Sequence, residues 1–334
     1  MDLGDRIRWL GQHRLLHAAG LLVERGWLEP EVGELGLAMG DRFTAEDRLA
    51  TAAEREVVEA LADVGIRALL LKGSLLAHTV YPESGSRFRG DMDIQVAPAS
   101  LESAASALTG LGFARSRISA RPTALQSQWI RADDGFCIDL HWEISNRPAL
   151  ARVVDFAELE ASAVPVPRLS PLALGLCRAH ALLHACMHYF SHHKGVVRPL
   201  QWLLDMDLLW RAMSADEQAE TMALAREKGL CGVLGAGLDL AVRHFATPVD
   251  PAELDDLLMR GRDERLSFYA RAEHGSLAHW RFNVASMPSW AERLQYAFST
   301  VLPPASFMRQ IYPEGSGLGL PGLYARRLRE SLRS

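Results

Sequence analysis

The chain has 334 residues, of which 49% are hydrophobic and 23% charged, a composition that gives material for one large core or two modest ones and excludes an intrinsically disordered protein. Its formal charge is −5 and its pI about 6.2, and its basic residues are dispersed except in the stretch 325–333. That balance weighs against a template-dependent polymerase or a tRNA-binding enzyme, which needs a basic face to neutralise phosphates. The four cysteines, Cys137, Cys177, Cys186 and Cys231, form no C-x-x-C pair, so reduced thiols are expected rather than disulfides or a structural zinc site. The first residues show no basic region followed by an apolar core. The longest apolar run, 172–190, carries Arg178, His180, His184 and His188, so a buried helix of a soluble, cytoplasmic protein is expected rather than a membrane span.

The first ~50 residues read as helical, with Leu10, Leu15, Leu16, Leu21 and Leu22 at near-helical spacing and Gly26 and Pro30 as punctuation. A second helix is expected from Thr44, a candidate N-cap, to Ala62, ended by Gly65. The run 66–71 is too short for a helix and reads as a buried strand, with a helix beginning at Ser74. A loop rich in Gly, Pro and Ser follows over 81–90. Met92, Ile94 and Val96 alternate with Asp91, Asp93 and Gln95, which is a strand period. A helix over 101–108 and strands over 113–118, 128–131 and 136–143 complete this part. Helices are then expected at 171–192, 199–213, 215–228, 230–245, 251–259 and 288–300. The outline is an N-terminal helical cap (1–50), a small α/β core (51–167) and a C-terminal helical domain (168–334).

Asp91 and Asp93 stand at i and i+2 of one strand, so both carboxylates project to the same side, about 7 Å apart, and repel unless a cation lies between them. A hard divalent cation, Mg²⁺ or Mn²⁺, prefers such oxygen ligands shared with substrate phosphates. Asp139, between Ile138 and Leu140 on a later strand, offers a third carboxylate, and three acidic groups on adjacent strands are what two-metal phosphoryl transfer requires. A bare D-x-D also describes the polar face of a half-exposed strand; the surroundings separate the two readings. Gly73 and Ser74 fall at a strand-to-helix junction, where glycine permits close approach of a phosphate and the helix start offers unpaired N–H donors. Arg87 and Arg89, just before the acidic pair, are placed to brace a triphosphate, or else lie in a solvated loop.

The order apolar strand–Gly–Ser, Asp-x-Asp-apolar, apolar-Asp-apolar resembles the motif set of the DNA polymerase β-like nucleotidyltransferase superfamily. The segments Leu71-Lys-Gly-Ser-Leu-Leu, Tyr81, Arg87, Gly90-Asp-Met-Asp-Ile-Gln-Val, Ile138-Asp-Leu-His-Trp and Arg198-Pro-Leu-Gln-Trp-Leu-Leu-Asp-Met-Asp are similar to a bacterial branch labelled uncharacterised nucleotidyltransferase. Some members of that branch accompany clusters for peptide natural products such as lasso peptides. The likeness covers about residues 50–215 and, more loosely, 302–327. It implies an α+β fold, a polymerase β-like core of small mixed sheet with helices embedded in a mostly helical chain. It also implies transfer of a nucleoside monophosphate from an NTP such as ATP, with release of pyrophosphate. By that resemblance Asp91, Asp93 and Asp139 take the metal and catalytic roles. Gly73 and Ser74 take the phosphate role, and Arg87 and Lys72 match the family's arginine and lysine.

His180, His184, His188 and His192 recur every four residues, with His193 beside the last, and step about 40° around a helix. Three readings stand: a zinc site, a helix that sets His184 or His188 over the nucleotide or acceptor as a contact or a near-neutral base, or buried structural histidines. Asp205 lies among Trp202, Leu203, Leu204, Met206, Leu208 and Leu209, so burial is expected, with a histidine of the preceding helix as its partner. His141 and Glu143 share the Asp139 face and are candidates to support it. The tail 324–333 reads as a basic amphipathic helix that closes the fold or covers an acidic or phosphate-bearing acceptor. The functional expectation is a metal-dependent nucleotidyltransferase acting on a small molecule or a peptide. Modification of a partner protein, as by antitoxin-like relatives, and a non-catalytic nucleotide- or peptide-binding module remain as alternatives.

Overall fold

The computed structural model describes residues 3–116, 125–191, 198–271, 276–312 and 319–331. Seven short strands make one mixed sheet: β1 (Leu69–Leu70), β2 (Met92–Gln95), β3 (Phe113–Arg115), β4 (Gln126–Arg131), β5 (Cys137–His141), β6 (Val164–Pro165) and β7 (Leu174–Gly175). Their order across the sheet is β3-β4-β5-β2-β1-β7-β6. The alternation read in the sequence has a direct cause: Met92, Ile94, Val96, Ile138 and Leu140 are sealed into the core. The opposite face is also covered, since Asp93, Gln95 and His141 are buried, so its polar residues line a pocket rather than meet bulk water.

Register is what matters most for the site. β2 pairs with β5 in parallel, with Asp93 opposite Asp139 and Gln95 opposite His141. β5 pairs antiparallel with β4, which brings Gln128 opposite Asp139 and Gln126 opposite His141. β1 pairs antiparallel with β2 and parallel with β7. The chain therefore is α+β, with a small mixed sheet among many helices.

Several elements differ from their expected bounds. The N-terminal stretch forms three helices, Leu3–Gln12, Ala19–Glu24 and Pro30–Ala38, and the next runs Gly40–Asp63, so Thr44 sits inside it rather than capping it. The helix expected from 171 begins only at Arg178, because Leu174–Gly175 is drawn into the sheet beside β1. An apolar run without turn signals cannot reveal that by its period. A Cβ on Gly175 would lie 2.3 Å from Leu75 Cδ1, so glycine there lets Leu75 pack directly against β7. The sheet thus extends past residue 167 and the Gly40–Asp63 helix spans residue 50. The short helices Pro148–Ala151 and Phe156–Ala161 and the helices Ser276–Ser286 and Ala305–Ile311 had no expectation, and the closing helix spans Leu320–Ser331. The predicted strand end at Ile118 and the histidines at 192 and 193 lie outside the described residues.

One apolar core runs from Leu10 and Leu22 through the sheet to Trp210, Leu238 and Tyr269, and Phe307, Met308 and Leu323 form a separate small cluster. The helices Arg178–Phe190 and Gln201–Ala212 pack on each other and on the Cys231–Phe245 helix. Among the described residues no helix is long and apolar enough to cross a membrane. The Cys231–Phe245 helix is fixed at its start by Glu264, whose carboxylate accepts from the backbone N–H groups of Cys231 (3.1 Å) and Gly232 (2.9 Å). Gly232 also meets Gly261 backbone to backbone: a Cβ on Gly261 would lie 2.2 Å from Gly232 Cα and 2.5 Å from its nitrogen. Neither atom can swing away as a side chain could. Gly261→Ala is therefore expected to destabilise the fold by about 2 kcal/mol, at the level of other overpacked sites. A urea midpoint equal to that of the parent chain would show that this contact relaxes freely.

Candidate active site

The pairing of β2 with β5 sets Asp93 and Asp139 side by side, one strand spacing apart on the same face. His141, two residues beyond Asp139, shares that face, and its Nε2 lies 2.9 Å from Asp93 Oδ1. Lys72 donates to the same oxygen at 2.6 Å. It can do so because it opens the Lys72–Thr79 helix in a left-handed conformation, φ 43°, which a non-glycine residue adopts only under constraint. Gln126 Nε2 donates to Asp139 Oδ2 at 2.8 Å, leaving Asp139 Oδ1 buried with no partner among the described residues. Asp91 lies just before β2 and is open to the cleft.

These neighbours pull the acidic groups apart electrostatically. Burial alone would raise Asp93, but the Lys72 ammonium and His141 hold it well below the usual carboxylate range. Asp91 reaches solvent, yet crowding by protein around its carboxyl, joined by the Asp93 charge, pushes its pKa up to about 6. Asp139 is raised by burial and by Asp93. Lys72, which burial would lower, is raised by the three aspartates. His184 is pushed down to about 3 by burial, with Lys72 and His141 adding to it. It is therefore a neutral imidazole, too weak a base for the near-neutral role that the histidine spacing allowed.

Two cavities meet at this cluster. The larger, about 330 Å³, is lined by Arg14, Lys72, Gly73, Arg87 and Arg89 together with Asp91, Asp93 and His184. The smaller, about 170 Å³, is bounded by Gln126, Asp139, His141, Ser145, Asn146 and Arg147. Lys72, Asp91, His184 and His188 border both. The tightest group of potential ligand atoms is Asp93, Asp139 and His141, all within 4.8 Å of one another, with Asp91 outside it. The orphaned oxygen of Asp139 and the oxygen-rich donor set fit a hard divalent cation.

Other expected residues are placed differently. Ser74 is fully buried and its hydroxyl borders neither cavity, while Gly73 borders the larger one. A Cβ on Gly73 would lie 2.4 Å from Arg87 Nη1. Arg87 is not free to move: its Nε and Nη2 donate to both oxygens of Asp205 at 2.9 and 2.6 Å. The expected histidine partner of Asp205 is replaced by this fork and by Tyr81, whose hydroxyl donates at 2.8 Å. A planar guanidinium satisfies two carboxylate oxygens at once, which one imidazole cannot. Arg89 is likewise engaged, by Asp47 at 2.6 Å and by the buried Glu54 at 3.1 Å. Glu54 also contacts His78 at 2.9 Å.

The histidine helix divides its residues by function of position. His184 and His188 face the cavities, and His188 meets the Trp202 ring edge-on at 4.6 Å. His180 turns away to Ser162, Cys177 and Glu158. Glu143 falls beyond β5 and borders neither cavity. Several cavity residues carried no signal in the sequence: Arg14, Gln126, Gln128, Cys137 and Arg147. Arg14 arrives because Leu200 and Gln201 donate to the His13 ring and carbonyl, at 3.3 and 3.2 Å. Gln126 and Gln128 carry the alternation of an ordinary strand, and only pairing with β5 brings them to the site.

Asp93 and Asp139 on neighbouring strands thus lie close to the start of the Lys72–Thr79 helix, where Gly73 borders the larger cavity. Residues 9–246, well over half of the chain, match the model of the uncharacterised nucleotidyltransferase family. The chain belongs to that family and is an enzyme of the nucleotidyltransferase class. Among solved structures it is similar to the solution structure of the antibiotic-resistance factor ANT(2'')-Ia, at 12% identity and a TM-score of 0.41, over 59% of this chain and 99% of that one. No curated protein matches it.

The Arg87–Asp205–Tyr81 group is almost fully buried, so breaking it leaves an uncompensated charge. Asp205→Asn is expected to cost about 3 kcal/mol and Tyr81→Phe about 1 kcal/mol, read from urea midpoints. An Asp205→Asn protein as stable as the parent would mean that Arg87 finds water instead.

Proposed function

We propose that the enzyme moves a nucleoside monophosphate from an NTP to a hydroxyl of a small-molecule or peptide acceptor, with release of pyrophosphate. In this reading Asp91, Asp93 and Asp139 hold Mg²⁺ or Mn²⁺. The observation that carries it is the meeting of two cavities at one carboxylate cluster: the larger lined by Arg14, Arg87, Arg89 and Gly73 beside Asp91 and Asp93, the smaller by Gln126, Ser145, Asn146 and Arg147 beside Asp91 and Asp139. The first suits a triphosphate and the second the acceptor.

Divalent ions held by these aspartates would lower the pKa of the attacking hydroxyl and offset charge on the triphosphate. The acceptor oxygen bonds to the α-phosphorus as the bond from that phosphorus to the bridging oxygen breaks. Pyrophosphate leaves with the electron pair, and the hydroxyl proton passes to water. The chain's own residues hold the participants. Gly73 keeps the helix start free of a side chain, so that backbone can approach phosphate. Arg14, which makes no ion pair among the described residues, supplies positive charge to the larger cavity. Arg87 and Arg89, immobilised by Asp205, Asp47 and Glu54, add fixed positive potential rather than flexible grips. Lys72 balances the carboxylates, and neutral His184 adds no further charge beside it. Residues of the helices Arg178–Phe190 and Gln201–Ala212 line the larger cavity and shape it.

Calorimetric titration with each of the four NTPs, with and without Mg²⁺, tests this reading. Metal-dependent binding of at least one NTP is expected in the parent. In Asp91→Asn, at an exposed residue, pyrophosphate release should fall by about two orders of magnitude or more while the thermal transition is retained; Asp93→Asn should lose as much activity and also some stability, because it strands Lys72. Full transfer activity in either variant would remove the carboxylates from the chemistry. Absence of binding by every NTP would assign the cleft to another ligand.

A further inference from the structure

We propose that the smaller cavity recognises an oxyanion on the acceptor, and that Arg147 is the residue that binds it. The proposal rests on the reading of the larger cavity as the nucleotide's place. Three observations carry it. First, Arg147 stands on the wall of the smaller cavity and does not border the larger one, so it belongs to the acceptor's side. Second, its Nε is buried with no partner, and its guanidinium forms no hydrogen bond or ion pair among the described residues. Arg87 and Arg89 in the same cleft are each locked to buried carboxylates. Third, Ser145, Asn146 and Ser191, which line the same cavity, are polar and uncharged, and its acidic groups are Asp91 and Asp139.

A buried N–H without a partner is costly, and the cost disappears when an acceptor atom arrives. A guanidinium presents its donors as a planar fork, and the group that matches it is a phosphate or carboxylate taken through two oxygens. The polarity of the cavity then orients the ligand. Lys72, the other cation on this cavity, is already paired with Asp93, so an anionic group finds unpaired donors at Arg147 and leaves the neutral hydroxyl end at the carboxylates. The acceptor class is thus a hydroxyl compound that also carries an oxyanion, whether phosphate or carboxylate.

The experiment uses the full chain and three probes of one size: glycerol 3-phosphate, glycerate and glycerol. Each is titrated by ligand-observed NMR, alone and with saturating NTP and Mg²⁺, and NTP binding is measured separately by calorimetry. At least one of the two anions is expected to bind tighter than glycerol, and the stronger of the two names the source of the oxyanion. Arg147→Gln should weaken that anion by about tenfold or more, with Arg147→Lys between the two, while NTP affinity is unchanged in both variants. Unchanged NTP affinity also shows that the variants are folded. Anions that bind no better than glycerol, or that bind Arg147→Gln as well as the parent, would overturn the proposal while leaving the nucleotide site intact. Failure of NTP binding in the parent would instead strike the reading of the larger cavity, and the anion titrations without NTP would still decide the role of Arg147.

Discussion

Two carboxylates held one strand spacing apart in a covered pocket are the constraint to which the rest of the structure answers. The parallel register of β2 and β5 places Asp93 beside Asp139, and in a medium of lowered dielectric their repulsion must be offset locally. Lys72 does so, at the expense of a left-handed backbone that costs on the order of 1–3 kcal/mol. That conformation also sets the direction in which the Lys72–Thr79 helix departs, which in turn places Gly73 on the cleft and carries the chain to Tyr81. The acidic pair, the lysine and the helix start are thus one mechanical unit. Within it, Lys72 and His141 together offset the Asp93 charge.

Around this unit lies a second layer of charge that is already paired. Arg87 is fixed by Asp205, which Tyr81 also holds, and Arg89 by Asp47 and Glu54. Buried pairs of this kind are weak contributors to net stability, but breaking one is expensive. They act as struts, tying the loop before β2 to the Gly40–Asp63 helix and to the Gln201–Ala212 helix. Arg14 and Arg147, one per cavity, are the cleft arginines without such struts. The proposals for donor and acceptor both draw on that division between structural and available cations.

Much of the site could be read from the sequence because the chemistry of a phosphoryl-transfer centre is short-range along the chain. The alternation at Met92–Val96 located a strand, the flanks of Asp139 located another, and the change of texture at Leu71-Lys-Gly-Ser marked a strand giving way to a helix. What could not be read was who meets whom. The expectation of a histidine beside Asp205 considered only the neighbouring helix. The actual partners, Tyr81 and Arg87, lie more than a hundred residues earlier. The apolar run from 172 hid a two-residue strand because sheet pairing, not local propensity, made it one. The histidine repeat was visible, but the divergence of His180 from His184 and His188 depended on what packs against each face.

Parts with a local signature were legible in the chain: an acidic strand, a third carboxylate between apolar residues, a glycine at a helix start, and long amphipathic helices to cover them. Periodicity and residue chemistry suffice for these, because each is set within a few residues of backbone. The tertiary structure alone decided the register that makes Asp93 and Asp139 neighbours. It brought His141, rather than Asp91, into the tightest group of donors, and it committed Arg87 and Arg89 to buried carboxylates. It also delivered Arg14, Gln126 and Arg147 from distant elements. Those outcomes depend on long-range pairing and on desolvation, and both arise only when segments far apart in the chain exclude water together.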